Sequence, residues 1–397
     1  MTSASLTWAK IAASPSTRIT LVMSLLFAAF GVAMPFVPRW LEESRGLNGV
    51  EIAAVLSAAQ MARILVGPLI ATWADGFSDR ALPMKLLAAA ALSLHVGFFF
   101  ADGFWSLLLL GFAGATAAQA IVPLVEGGAL RTSLRADGLP YGMCRAVVSG
   151  AFVVSTVLAG ALVGWFGVHA APATIVGCYL AMAAAAWIGL RADPTDGTAH
   201  TLRFSERFRL GARLLGQPRF ALALAAAGLI QASHAFFYNF TAIVWRDQGI
   251  ADLVIGLLIA FGVLAEIVLL FMLPRVEKRF EPAMLIAFGA VGGLIRWSCF
   301  AASPPLALLW PLQALHALSF AATHIGMMRL IQQETPEEIS AFAQTLYAAL
   351  AAGLFMGLAA LAAGALHDAV GAFGYLAMAG LAALGLALIS PLVLQKV

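Results

Sequence analysis

Arg191-Ala-Asp-Pro-Thr-Asp-Gly-Thr-Ala-His-Thr-Leu-Arg-Phe-Ser-Glu-Arg-Phe-Arg-Leu-Gly-Ala-Arg-Leu-Leu-Gly-Gln-Pro218 is the longest polar interruption in a chain that is otherwise apolar almost from end to end. Of its 397 residues 62% are hydrophobic and 11% charged, and the mean hydropathy is +0.92. Soluble domains carry about 45–50% apolar and about 25% charged residues. Such a chain needs lipid around it, not water. Six apolar runs precede the interruption, near 17–38, 50–72, 84–101, 105–130, 143–166 and 171–190. Six follow it, near 219–244, 253–273, 283–301, 306–330, 339–365 and 370–394. Each is long enough to cross a hydrocarbon core of about 30 Å at about 1.5 Å per residue. The fold expected is an all-α membrane protein of twelve transmembrane helices. Two six-helix bundles, 1–190 and 219–397, are joined by the linker 191–218.

The basic residues orient the chain. With both termini cytoplasmic, only Arg39, Arg45 and Arg246 of the 23 Lys+Arg fall in outer loops, and Arg63, Arg145 and Arg296 fall inside spans. The rest are on the inner side, as the positive-inside rule requires. Tryptophans at run ends (Trp40, Trp105, Trp165, Trp245 and Trp310 outside, Trp8, Trp73 and Trp187 inside) predict an aromatic belt at each interface. The three cysteines, Cys144, Cys178 and Cys299, are scattered through the runs and predict neither a disulfide framework nor a metal site.

Inside the apolar runs stand Arg63, Glu126, Arg145, His234, Glu266, Arg296, His316 and His324. An ionisable side chain at mid-bilayer costs about 2.5–3.5 kcal/mol on insertion scales, so it turns to a partner or to a wet cavity. Several such residues on different helices predict a polar path through the membrane. Glu126 and Arg145, on neighbouring spans, predict an ion pair that either contacts a solute or is purely structural. His234 and Tyr238 are four apart, with Gln231 three before, so all three share a helix face. Lining a cavity and bonding a neighbouring helix both fit them. His316 and His324 are eight apart and point to roughly one side. His324 either faces a cavity or bonds a carbonyl. His95 is read as structural, and Gln60, Arg63, Gln344 and Tyr347 as lining a path or its gate.

Several stretches carry a family resemblance. They are Gly31-Val-Ala-Met-Pro35-Phe-Val-Pro38-Arg-Trp40, Ala62-Arg63-Ile64, Pro123-Leu-Val-Glu126, Tyr141-Gly142 with Arg145, Ser149 and Phe152, Ser233-His234-Ala-Phe-Phe-Tyr238, Ala265-Glu266, Arg296-Trp297, Gln313-Ala-Leu-His316, Thr323-His324-Ile-Gly-Met-Met-Arg329 and Ala343-Gln344-Thr-Leu-Tyr347. Together they resemble the phenylpropionate permease group of the major facilitator superfamily, a relative of the lactose permease type of oligosaccharide–proton symporter. The loop Gly67-Pro-Leu-Ile-Ala-Thr-Trp-Ala-Asp75-Gly-Phe-Ser-Asp-Arg80 resembles the superfamily's cytoplasmic loop, with Asp75 and Arg80 in the matching places and Gly76 where an Arg is usual. Val147-Val148 stands where the group usually has Trp-Gly.

The resemblance implies two six-helix bundles around a central cavity and transport by alternating access. It implies that Glu126, Arg145 and Phe152 contact substrate, with His234, Tyr238 and His324 as further cavity residues. It also implies that Glu266, His316 and Arg296 carry the coupling proton. Lactose permease has a carboxylate one turn after this histidine, where the chain has Ser319, which leaves Glu266 as the proton carrier. A carboxylate's grip on a proton tightens in apolar surroundings and loosens beside a guanidinium, so alternation between the two settings suits the task. Asp75 and Arg80 are implied as a cytoplasmic gate loop. The substrate implied is an aromatic carboxylate such as phenylpropionate, taken up across a bacterial inner membrane. A sugar or nucleoside symporter, an exporter, and a sensor on the same scaffold are the alternatives. No phosphate loop, His-Glu-x-x-His or Gly-x-Ser-x-Gly is present, so neither ATP-driven pumping nor hydrolysis is expected. No catalytic residue, metal, cofactor or nucleic-acid partner is expected. The partners are solute, protons and membrane lipid, the proton gradient is the energy source, and the chain is expected to act as a monomer.

Overall fold

The computed structural model describes residues 14–62, 66–134, 139–193 and 204–394. Arg63, the side chain of Asp75 and residues 194–203 of the linker lie outside the described residues. Helices α1 (Pro15–Arg45), α2 (Gly49–Ala62), α3 (Val66–Asp75), α4 (Ala81–Phe100), α5 (Phe104–Leu134), α6 (Tyr141–Phe166) and α7 (Ala170–Ala184) make up the chain before the linker. After it come α8 (Phe204–Leu215), α9 (Pro218–Ala232), α10 (Ala235–Asp247), α11 (Asp252–Arg279), α12 (Pro282–Ala301), α13 (Leu306–Ala314), α14 (Thr323–Glu334), α15 (Glu337–Ala348), α16 (Met356–Val370) and α17 (Tyr375–Leu394). No strand occurs among the described residues.

Among the described residues ten helical runs are long and apolar enough to cross a bilayer, where the sequence predicts twelve. The second apolar run is described only in two pieces, α2 and α3, on either side of residues 63–65, which lie outside the described residues. The last two runs are one 53-residue helical stretch, Phe342–Leu394, which turns at Gly371 with φ of +55°. That left-handed conformation suits a residue without a Cβ. Large apolar side chains are bare on the outside, Phe100 at 82% and Ile188 at 86% exposure among them. In water that surface would be untenable; in lipid it is the expected exterior.

The chain divides into two compact units, Met1–Arg45 with Leu65–Thr198, and Gly46–Ile64 with Ala199–Val397. In the first, α1 packs on α6 and α7, and α4 on α5. The approach of α1 to α6 is tight at Gly31, whose carbonyl lies 2.9 Å from Thr156 Oγ1. Trp40 and Trp245, expected in an interfacial belt, are 1% and 2% exposed. Trp40 is boxed by Phe98 and Phe99 at 5.6 and 5.0 Å. Trp105 and Trp165, at 72% and 76%, do lie on the surface.

In the second unit α12 packs on α17 and α14, and α9 on α17, over a core that includes Phe220, Ile230, Ile286, Met327, Tyr347 and Ile389. The second half of the basic linker is itself the helix α8. Leu214 is buried on one side of it while Arg209 and Arg213 are exposed, and Gly211 faces the Phe342 ring. Its apolar residues were too few to read as a span, yet enough for one buried stripe. α9 gives way to α10 through a turn at Ser233–His234, and α13 gives way at Leu315 to a wide π-helical turn, Ala317–Ala322. Such breaks free backbone groups and re-aim side chains, and they recur at functional positions.

Candidate functional site

His234 and His316 sit at those two breaks, and the breaks bring them together. His234 and His316 rings are 5.4 Å apart, and each is buried. His234 Nδ1 lies 3.1 Å from the carbonyls of Ile230 and Gln231, so that nitrogen donates. Its Nε2 therefore accepts from Ser319 Oγ at 3.1 Å. The two carbonyls thus hold His234 in one tautomer.

His316 is held in the opposite one. Its Nδ1 is 3.1 Å from Arg296 Nη1, and a guanidinium only donates, so Nδ1 accepts and the proton is on Nε2. That Nε2 faces Glu266 Oε2 at 3.6 Å. The arrangement is a line from carboxylate to neutral imidazole to guanidinium, drawn from α11, the turn after α13, and α12. Arg296 is fully buried. Its Nη2 donates to Gln313 Oε1, and its Nε has no hydrogen-bond partner. Among the described residues no carboxylate pairs with it. Aromatic faces supply the rest: the guanidinium lies 4.4 Å from the Phe237 ring, 4.5 Å from Trp297 and 5.5 Å from Phe300. A cation against ring faces in dry surroundings gains about 2 kcal/mol or more. Trp297 Nε1 is fixed in turn by Ser233 Oγ at 2.9 Å.

Tyr238 stacks on His234 at 5.7 Å, as their shared helix face requires. Gln231 is turned to the carbonyl of Phe320 at 3.1 Å. His324 stands apart from this group: it is exposed and its ring is 5.9 Å from that of Tyr347. Gln344 is exposed as well, and Gln60 half-buried.

In the first unit Glu126 and Arg145 form the expected ion pair, with side chains 35% and 42% exposed. The Phe27 ring lies 5.9 Å from the guanidinium, and no feature of the sequence singles that residue out. Phe152 is on α6, partly buried, and its carbonyl accepts from Ser155 Oγ at 2.9 Å. His95 bonds its own helix at Ala91 O, 2.8 Å away, and its ring lies tilted against that of Tyr179 at 4.3 Å.

The loop after α3 is pinned by residues that spacing alone did not single out. Asp79 Oδ1 accepts from the amides of Ala81 and Asp193, each at 2.9 Å. The Arg80 amide donates to Asp193 O at 3.0 Å, and Arg131 pairs with the Asp193 carboxylate at 3.1 Å. Asp193, at the opening of the linker, is the hub of this tie.

Residues 16–377 match the model of the MFS_1 like family. The chain is 28% identical over 353 residues to a probable 3-phenylpropionic acid transporter of Escherichia coli (strain K12), covering 87% of this chain and 89% of that one. It is also 28% identical over 349 residues to a maltose permease of Geobacillus stearothermophilus, covering 86% and 85%. Its fold is similar to that of the nucleoside transporter NupG, with a TM-score of 0.82 at 14% identity over 95% of this chain and 98% of that one. A bacterial homologue of the iron transporter ferroportin in its inward-facing state is similar at a TM-score of 0.71 and 15% identity, covering 95% and 98%. With a family match over most of its length and polar groups gathered inside apolar helices, the chain belongs to the MFS_1 like family of the major facilitator superfamily: it is a multi-pass membrane transporter and not an enzyme.

Proposed function

We propose that this protein is a proton-coupled symporter that takes up a small aromatic carboxylate of the phenylpropionate kind by alternating access. It works as a twelve-helix monomer with both termini cytoplasmic, in a bacterial inner membrane. The observation that carries the reading is the line Glu266–His316–Arg296. A proton arriving on Glu266 removes a negative charge from one end of a buried chain whose other end is a cation without a carboxylate of its own. Neutral His316 transmits the change, since its two nitrogens face the two charged groups. No cofactor enters the scheme; the proton gradient drives it.

Glu126, Arg145 and Phe152 are assigned to the substrate, with His234, Tyr238 and His324 as the second half's contribution. The half-exposed Glu126–Arg145 pair supports this, because an accessible guanidinium can exchange its partner for a solute carboxylate. The similarity to a phenylpropionic acid transporter over nearly the whole chain supports the same class. Asp75 and Arg80 are assigned to the cytoplasmic gate loop, and the bundles to 1–190 and 219–397 with the linker 191–218 between them. A sugar–proton symporter is the second reading, favoured by equal identity to a maltose permease.

The test is solute-induced proton movement in proteoliposomes with a trapped pH dye, using phenylpropionate, cinnamate, a nucleoside and a disaccharide. Acidification on adding an aromatic acid, abolished by Glu266→Gln while solute exchange persists, is the expected result. Acidification with the disaccharide alone moves the assignment to sugars. Uphill uptake surviving Glu266→Gln overturns the proton-carrier assignment.

A further inference from the structure

α8 meets the second unit with one side only. Leu214 enters the core that holds Phe220, and Gly211 faces the Phe342 ring, so the helix rests on α9 and α15. Both contacts fall where an apolar run begins, Pro218–Asp247 on one side and Phe342–Leu394 on the other. α8 therefore stands at the level where those runs enter the membrane, on the face that the proposed orientation makes cytoplasmic. At 3.6 residues per turn, Arg209, Ala212 and Arg213 fall on the side opposite Gly211 and Leu214. All three are exposed, and Leu215, on the flank between the two sides, is 42% exposed.

Arg209 and Arg213 are four apart, so their charges share one side of the helix and repel. Other arginines near the ends of apolar runs have partners. Arg219 meets Glu334 at 3.0 Å, Arg131 meets Asp193 at 3.1 Å, and Arg329 donates to the carbonyl of Phe280 at 2.8 Å. Among the described residues no carboxylate meets Arg209 or Arg213. Glu206, the acid of α8, is half-buried and already engaged. Two cations side by side, flanked by an exposed leucine and seated at membrane level, thus lack a counter-charge from the chain itself.

We propose that α8 is a docking surface for anionic phospholipid, with Arg209 and Arg213 on the headgroup phosphate and Leu215 turned to the apolar side of the interface. Charge complementarity carries the choice of partner. A guanidinium grips a phosphate through parallel hydrogen bonds, and two of them four residues apart can share one. Lipid phosphates lie at the depth where α9 and α15 begin their apolar runs. A soluble acidic partner would answer the charges but leave Leu215 in water. Bound lipid cancels the repulsion between Arg209 and Arg213 and holds α8 flat against α9 and α15. The inference is independent of the solute and of the coupling ion.

The experiment uses the full chain in phosphatidylcholine bilayers with a fluorophore on Gln217→Cys, an exposed position whose side chain makes no capping bond. The signal of the same chain without the added thiol is subtracted. Quenching by nitroxide-bearing phosphatidylglycerol is compared with quenching by phosphatidylcholine that bears the same nitroxide. Phosphatidylglycerol is expected to quench at a mole fraction about tenfold lower, through the attraction of two arginines. Arg209→Gln with Arg213→Gln is expected to abolish that preference, and Arg209→Lys with Arg213→Lys to keep most of it. Equal quenching by the two lipids with both arginines present overturns the proposal, as does a preference that survives the double glutamine variant. Loss of the preference to inorganic phosphate, but not to sodium chloride of the same ionic strength, also overturns it and marks a site for a soluble anion.

Discussion

Arg296 is a fully buried cation whose hydrogen-bond partners, Gln313 and His316, are both neutral. Such a group is costly to keep, and a purely structural need would be met better by an apolar side chain of similar volume. Arg296→Met is therefore expected to leave thermal stability in detergent unchanged or raised while abolishing uphill uptake. Unfolding midpoints and proteoliposome uptake of the same preparation check both halves. Gln313→Leu does the reverse kind of damage: it keeps the cation and removes its acceptor. It is expected to cost about 1–3 kcal/mol of stability, read as a lowered unfolding midpoint. Glu126 and Arg145 are too exposed for their pairing to matter much to stability, about 0–1 kcal/mol. Glu126→Gln should accordingly leave the midpoint in place while changing solute affinity, measured by equilibrium binding. The chemistry-bearing residues were legible in the sequence because an ionisable group in an apolar run stands out by cost alone. Their supports were not. Gln313, Ser319, Phe237 and Phe27 are ordinary residues whose roles come from where the breaks near His234 and His316, and the packing of α1, place them.

At the scale of elements, the helices approach wherever a side chain is missing. A Cβ on Gly289 would fall 2.9 Å from Leu318 O, in the π-helical turn that carries Ser319. Gly289→Ala is expected to push α12 from that turn and cost about 1–3 kcal/mol. Because Arg296 lies two turns further along α12, uptake should fall as well, and a thermal shift with a parallel uptake assay reads both. Apolar run length located most of the helices correctly, since crossing lipid and satisfying the backbone leave few other solutions. It could not show that α8 would form within the basic linker, because that helix needs only Leu214 and its neighbours to be apolar. Nor could it divide α9 from α10, because no proline or glycine marks the turn at Ser233–His234.

For the molecule as a whole, the tie between the loop after α3 and the opening of the linker joins segments more than a hundred residues apart. Asp193→Ala removes the carboxylate that Arg131 holds. The pair is part-buried, with side chains 33% and 25% exposed, so only a small loss of stability is expected. Maximal uptake is expected to change about fivefold, the usual size of a coupling between distant parts. Uptake rates with and without the substitution, at matched protein levels, are the check. The resemblance pointed to Asp75 and Arg80 for this region. The described contacts add Asp79 and Asp193, which no spacing rule connects.

The sequence by itself determined that the chain lives in lipid, that it is helical and that ionisable groups interrupt its apolar runs, and its motifs resemble the superfamily to which it belongs. Those are consequences of transfer energies and of the backbone's need for partners, and they act residue by residue along the chain. Tertiary structure alone decided which groups meet. It set His316 between Glu266 and Arg296, gave His234 to Ser319, buried Trp40 and Trp245, and laid α8 against α9 and α15. Each of these depends on a helix break or a glycine contact between segments distant in sequence, and linear spacing holds no record of that geometry.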